Sequence, residues 1–170
     1  MGITRGGAAT FLFVVLSIGA TAVWADDVDD GWAAFQKGDY ATALKLLMPM
    51  AQKGNAVAEL DIGIMYFGGK GLPQDRREAA KWFKASAEQG VLGAQNNLGI
   101  AYATGDGVPR NLVLAYMWFS LAADQGGTIS AKYRDHVATE LTPEELKSAQ
   151  SLAAQCKDSK YQNCAPQDRP

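Results

Sequence analysis

Few residues in this sequence are equipped for chemistry. His136 is its only imidazole and stands beside Arg134 and Asp135. That charged neighbourhood describes a solvated surface histidine, because a general base needs a nucleophile within hydrogen-bond reach. Glu144 and Glu145 are paired carboxylates, but they follow Thr142-Pro143 at a helix start, where the helix dipole favours negative charge. The acidic run at 26–30 lacks the Asp-x-Asp-x-Asp-Gly spacing of a calcium loop. Gly69-Lys70-Gly71 follows a helical pattern and lacks the Gly-Lys-Ser/Thr ending of a phosphate loop. Arg76, Arg77, Lys81 and Lys84 make a basic helix face, for which hydration is the ordinary state. Cys156 and Cys164 lack the Cys-x-x-Cys redox spacing, and with one histidine they leave too few ligands for zinc. No catalytic residue, cofactor or metal is expected.

The composition agrees. The chain has 170 residues, 48% hydrophobic and 20% charged, which suits one globular domain. A formal net charge of −2 lacks the basic excess of a nucleic-acid binder, so none is expected as a partner. Residues 1–25 read as a secretory signal. Arg5 supplies the positive start, an apolar run containing Phe11-Leu12-Phe13-Val14-Val15-Leu16 follows, and Val23-Trp24-Ala25 fits a cleavage site. The run is interrupted by Ser17, Gly19 and Thr21, which argues against a retained membrane anchor, so no stable membrane insertion is expected after cleavage. Export would place the chain where disulfides persist, and a Cys156–Cys164 bond would staple the tail to the last helix.

The elements that position these residues follow from a repeat of 36 residues. Gly54, Gly90 and Gly126 close the similar phrases Gln52-Lys53-Gly54, Glu88-Gln89-Gly90 and Asp124-Gln125-Gly126. The same shift maps Ala58 on Ala94, Gly63 on Gly99, Tyr66 on Tyr102, Pro73 on Pro109 and Trp82-Phe83 on Trp118-Phe119. Helical spacing of small and apolar residues predicts helices over 56–67 and 92–103, then 75–89 and 111–125. Between them Gly69-Lys70-Gly71-Leu72-Pro73 and Gly105-Asp106-Gly107-Val108-Pro109 break the chain. Gly63 and Gly99 fall mid-helix, which implies that a second helix approaches too closely for a side chain. Further helices are expected at 130–141 and from Thr142, where Thr142, Pro143 and Glu145 form a capping box.

The Ala-x-x-x-x-Leu/Ile-Gly-x-x-Tyr, Gly-x-Gly-Val/Leu-Pro and Ala-x-x-Trp-Phe phrases resemble the Sel1-like repeat family, a relative of the tetratricopeptide repeat. The resemblance implies an all-α fold: a short right-handed α-solenoid of helix–turn–helix repeats with a C-terminal helical cap. Its expected parts are a signal peptide (1–25), a partial tetratricopeptide-like unit (26–54) and two Sel1-like repeats (55–90 and 91–126). A helical cap (127–158) and a tail (159–170) complete it. The resemblance also implies a concave groove lined by each unit's first helix: Trp32 and Phe35, then Leu60, Asp61, Ile64 and Phe67, then Asn96, Asn97 and Ile100. The implied function is a non-enzymatic adaptor of the bacterial periplasm or exterior that holds a protein or peptide there. Two alternatives stand beside it: a cell-wall or β-lactam-related enzyme, and a structural subunit whose groove is filled by its own tail. A Ser-x-x-Lys nucleophile is absent from the sequence, as are the regular disulfide pairs of β-lactam-linked relatives. Oligomeric state is open at this stage.

Overall fold

The computed structural model describes residues 20–162 and 164; most of the expected export segment, residues 1–19, lies outside them. Eight helices follow in order among the described residues: α1 (Ala20–Gln36), α2 (Tyr40–Ala51), α3 (Ala56–Gly68) and α4 (Arg76–Ala87), then α5 (Leu92–Thr104), α6 (Leu112–Asp124), α7 (Thr128–Ala138) and α8 (Pro143–Asp158). They pair as α1 with α2, α3 with α4 and α5 with α6, and each second helix also packs on the next first helix. This is the all-α solenoid that the period predicts.

Local chemistry sets the boundaries. Asn55, Asp75 and Asn111 cap α3, α4 and α6 with side-chain oxygens that accept from backbone N–H groups of the first turn. Gly69 and Gly105 end α3 and α5 in the left-handed region, at φ 63° and 82°. A side chain would be strained there, which is why glycine recurs at both. Thr142 and Glu145 form the reciprocal capping box at the start of α8. Hydrogen bonding to the Thr142 backbone and hydroxyl holds the Glu145 carboxyl below its ordinary pKa. Helix α7 starts at Thr128, two residues before the expected start, and ends at Ala138, short of the expected residue 141.

Two apolar clusters form a continuous core. Ala43, Leu47, Ala58, Ile62 and Met65 fill the N-terminal one, and Leu98, Met117, Trp118, Phe119 and Leu121 fill the other. Fully burying each large side chain contributes about 1.5–3 kcal/mol. Tyr66 packs against both clusters and joins them. The repeat also governs part-buried hydrogen bonds between helices. Gln89 Nε2 donates to Glu59 Oε2 at 2.7 Å, and Gln125 Nε2 donates to Gln95 Oε1 at 2.8 Å, one repeat later. Burial raises the Glu59 carboxyl above its usual pKa, and the Gln89 bond partly opposes that.

The array stops for a readable reason. One repeat beyond Leu98 and Gly99, which face the second helix of their own unit, α7 carries Arg134 and Asp135, bonded to each other at 2.7 Å. That polar face offers no seat for a second helix, and α8 packs on α6 instead. Cys156 and Cys164 are bonded, and Tyr161 lies against Gly90 while Gln162 Nε2 donates to Glu88 O at 2.9 Å. The described tail therefore docks on the α4–α5 turn.

The close helix approach is testable. A Cβ at Gly99 would stand 2.7 Å from the Phe119 ring, and one at Gly63 would stand 2.6 Å from Phe83. Gly99→Ala is expected to lower stability by about 1–3 kcal/mol despite alanine's better helix propensity, read from urea denaturation. A variant at least as stable as the parent would contradict this account of the repeat.

Candidate functional site

Three cavities succeed one another along the face made by α3, α5 and α7. The first, about 430 Å³, is lined by Leu60, Ile64, Leu92, Asn96 and Asn97, with 126–130 at the α7 end. The second, about 300 Å³, is enclosed by Ile64, Phe67, Phe83, Asn97 and Ile100. The third, about 360 Å³, lies among Ile100, Leu112, Phe119, Tyr133, His136 and Val137, with Thr104 and Glu140 at its edge. Ile64 and Asn97 border the first two, and Ile100 borders the last two, so the three form one trough.

The second and third cavities are the same place in successive repeats. A shift of 36 residues carries Ile64 to Ile100, Phe83 to Phe119, Asn97 to Tyr133 and Ile100 to His136. Each owes its floor to the mid-helix glycine: the ring of Phe83 crosses Gly63 and that of Phe119 crosses Gly99, so side chains of second helices reach the face made by first helices.

The polar groups divide by whether the fold already uses them. Asn96 Oδ1 accepts from Ser130 Oγ at 2.8 Å, tying α5 to α7. Asn97, half-buried between two apolar cavities, has no hydrogen-bond partner among the described residues. Glu140 is the one acidic lining residue of the three cavities, and its Oε2 accepts from Arg110 Nη2 at 3.1 Å. His136 Nε2 lies 3.9 Å from Glu140 Oε1, beyond a hydrogen bond, and its side chain is 75% exposed. That pair is not arranged for proton transfer.

The expected groove residues therefore fall in three settings. Leu60, Ile64, Phe67, Asn96, Asn97 and Ile100 line the trough. Trp32 and Phe35 stack on each other at 5.0 Å on α1, and Phe35 packs on into Tyr40 and the N-terminal core. Asp61, one repeat before Asn97, is 6% exposed, and its Oδ2 is buried without a partner among the described residues. Desolvation pushes its carboxyl up to about 7.

Sequence reasoning missed Phe83, Phe119, Ile129, Tyr133 and His136 as lining residues. The 36-residue shift onto α7 was the available signal. It is weak there, because Asn97 becomes Tyr133 and Gly99 becomes Asp135, and the segment reads as a cap.

Asp61 makes a pH-dependent contribution with a defined sign. Its folded pKa, about 7, lies well above the ordinary range of an aspartate carboxyl, so the fold favours the protonated form. The contribution is complete below the unfolded value and is lost as pH rises through the folded one. Asp61→Asn is expected to change stability little near pH 4 and to stabilise by about 2–4 kcal/mol above pH 7, measured by denaturation across pH. A gain that does not vary with pH would show that Asp61 is not buried as an acid.

The family model for the Sel1 repeat matches residues 56–91 and 93–127. The fold is similar to the crystal structure of c5321, a protective antigen present in uropathogenic Escherichia coli strains displaying an SLR fold. Identity is 26% and the TM-score 0.76, over 86% of this chain and 34% of that one. It is also similar to a Sel1 repeat protein from Oxalobacter formigenes, with 28% identity and a TM-score of 0.63, over 79% of this chain and 57% of that one. The chain thus spans about a third of the first protein and little more than half of the second. None of the curated proteins matches it. Two tandem matches in the register of the 36-residue period show that α3–α4 and α5–α6 are Sel1 repeats, on a helical solenoid similar to those structures.

Proposed function

We propose that this protein is a non-enzymatic interaction adaptor of the bacterial periplasm or cell exterior, holding a segment of another protein in the α3–α5–α7 trough. The Sel1 repeat fold is commonly a protein-interaction scaffold. The observation that carries the reading is the free amide of Asn97 between two apolar cavities. Apolar pockets anchor side chains, and an unengaged amide can bond the backbone between them. The export pattern of residues 1–25 supports the location. No helix among the described residues is long and apolar enough to cross a membrane.

The two alternatives are less well supported. An enzyme would need convergent reactive groups, and the trough offers His136 and Glu140 too far apart to share a proton. A groove filled by the C-terminal region would place that region in the trough, whereas no residue of α8 or of the described tail lines any of the three cavities.

A photoreactive phenylalanine analogue tests the site in the producing cell, placed at Tyr133 in the trough or at the exposed Lys81 outside it. The expected outcome is a discrete protein adduct from the first position and not the second, with a mature N-terminus at Asp26. Equal adducts from both positions would remove the trough from the function. Retention of residues 1–25 in the soluble fraction would remove the export reading.

A further inference from the structure

The tail meets the array at the same turn in two successive repeats. A shift of 36 residues carries Glu88 to Asp124 and Gly90 to Gly126. Gln162 Nε2 donates to Glu88 O at 2.9 Å, and the Tyr161 ring lies against Gly90, 3.0 Å from where a Cβ would stand. On the second of these turns Lys157 Nζ donates to Asp124 Oδ2 at 2.7 Å. The segment 157–162 therefore straps the α4–α5 turn to the α6–α7 turn. The latter continues into Gly126 and Gly127, which line the first cavity. At Gly54, one repeat before Gly90, nothing among the described residues lies within 4 Å of an added Cβ.

Opposing forces act on this strap. Lys160 and Tyr161 have φ of 54° and 67° and are the only non-glycine residues at positive φ among those described. Helices commonly end in that region on glycine, and a side chain there is strained. The Lys157–Asp124 pair is half-exposed, so water screens it and it holds the strap weakly. The Cys156–Cys164 bond closes the chain around the strained pair, and both cysteines are buried. A covalent tie thus keeps a turn that the backbone alone would give up.

We infer that Cys156 and Cys164 form a redox-operated clasp. Oxidised, the pair holds the strap across both turns; reduced, it lets the strap lift, and both turns loosen, the second of them in the wall of the first cavity. A dithiol carries out the reduction. One of its thiolates attacks a cysteine sulfur and breaks the S–S bond, and its second thiol then displaces that cysteine. Two electrons and two protons pass to Cys156 and Cys164, which become thiols, and the dithiol leaves as a disulfide. Because both cysteines are buried, the strap must lift before a thiolate can reach them, so docking slows its own release. The cavity wall is then firm only in an oxidising compartment.

Amide hydrogen exchange with and without dithiothreitol tests the clasp on protein purified from the producing cell. The repeat supplies an internal control. Gly90 and Val91 donate their amides to Ala87 O and Ser86 O, and Gly126 and Gly127 donate theirs to Ala123 O and Ala122 O. In the corresponding turn of the first unit, Gly54 and Asn55 donate to Ala51 O and Met50 O. Reduction is expected to speed exchange about tenfold or more in the first two turns and to leave the third unchanged. Cys156→Ser/Cys164→Ser is expected to give the same pattern without reductant. Tyr161→Ala, with the bond intact, is expected to be reduced about tenfold faster than the parent. Equal speeding in all three turns would mean a general loss of stability and would overturn the clasp. Unchanged exchange at Gly126 and Gly127, or reduction of Tyr161→Ala at the parent's rate, would overturn it as well.

Discussion

The contact of a phenylalanine ring with a mid-helix glycine is the constraint on which this protein is built. Phe83 lies where a side chain at Gly63 would be, and Phe119 where one at Gly99 would be. Each contact draws the two helices of a repeat together. Each also carries an aromatic ring from a second helix through to the face made by the first helices, where it floors a cavity. Packing and trough thus share one cause. Glycine in a helix costs about 1 kcal/mol against alanine, and burial of the ring offsets this.

Repetition of that unit explains the even character of the trough. Ile64, Ile100 and His136 succeed one another along one row, and Asp61, Asn97 and Tyr133 along the next. The backbone sets the rows, and each repeat fills them with its own chemistry. Asp61 is closed in and unpartnered, Asn97 is half-buried with a free amide, and Tyr133 is an exposed ring 5.4 Å from Phe119. Moving along the array therefore changes what a ligand would meet without changing the scaffold beneath it.

A stacked array needs an end, and here it is made by polar substitution and a covalent tie. Arg134 and Asp135 remove the apolar seat that a further second helix would use, and α8 covers α6 instead. The short disulfide loop brings Tyr161 onto Gly90 and Lys157 onto Asp124, at 2.7 Å from nitrogen to oxygen. Closure of so small a loop removes little chain entropy beyond the bond itself, about 2–3 kcal/mol, but it fixes the last helix against turns of the repeats. No residue of the described tail lines the trough.

The sequence by itself determined the helices and their pairing. A 36-residue period, capping residues at Asn55, Asp75, Asn111 and Thr142, and glycines at the turns are local signals, and local signals are written in order along a chain. Six of the nine expected groove residues also line the trough, because the repeat fixes which face a first helix presents. Tertiary structure alone decided the rest. Whether Asp61 is open or enclosed depends on what packs over it, and Phe35 is taken up by the N-terminal core that α1, α2 and α3 form together. Phe83 and Phe119 reach the trough only because another helix lacks a side chain in their path, and α7 completes it although its sequence has left the repeat. These are contacts between residues distant in the chain, and no local periodicity encodes them.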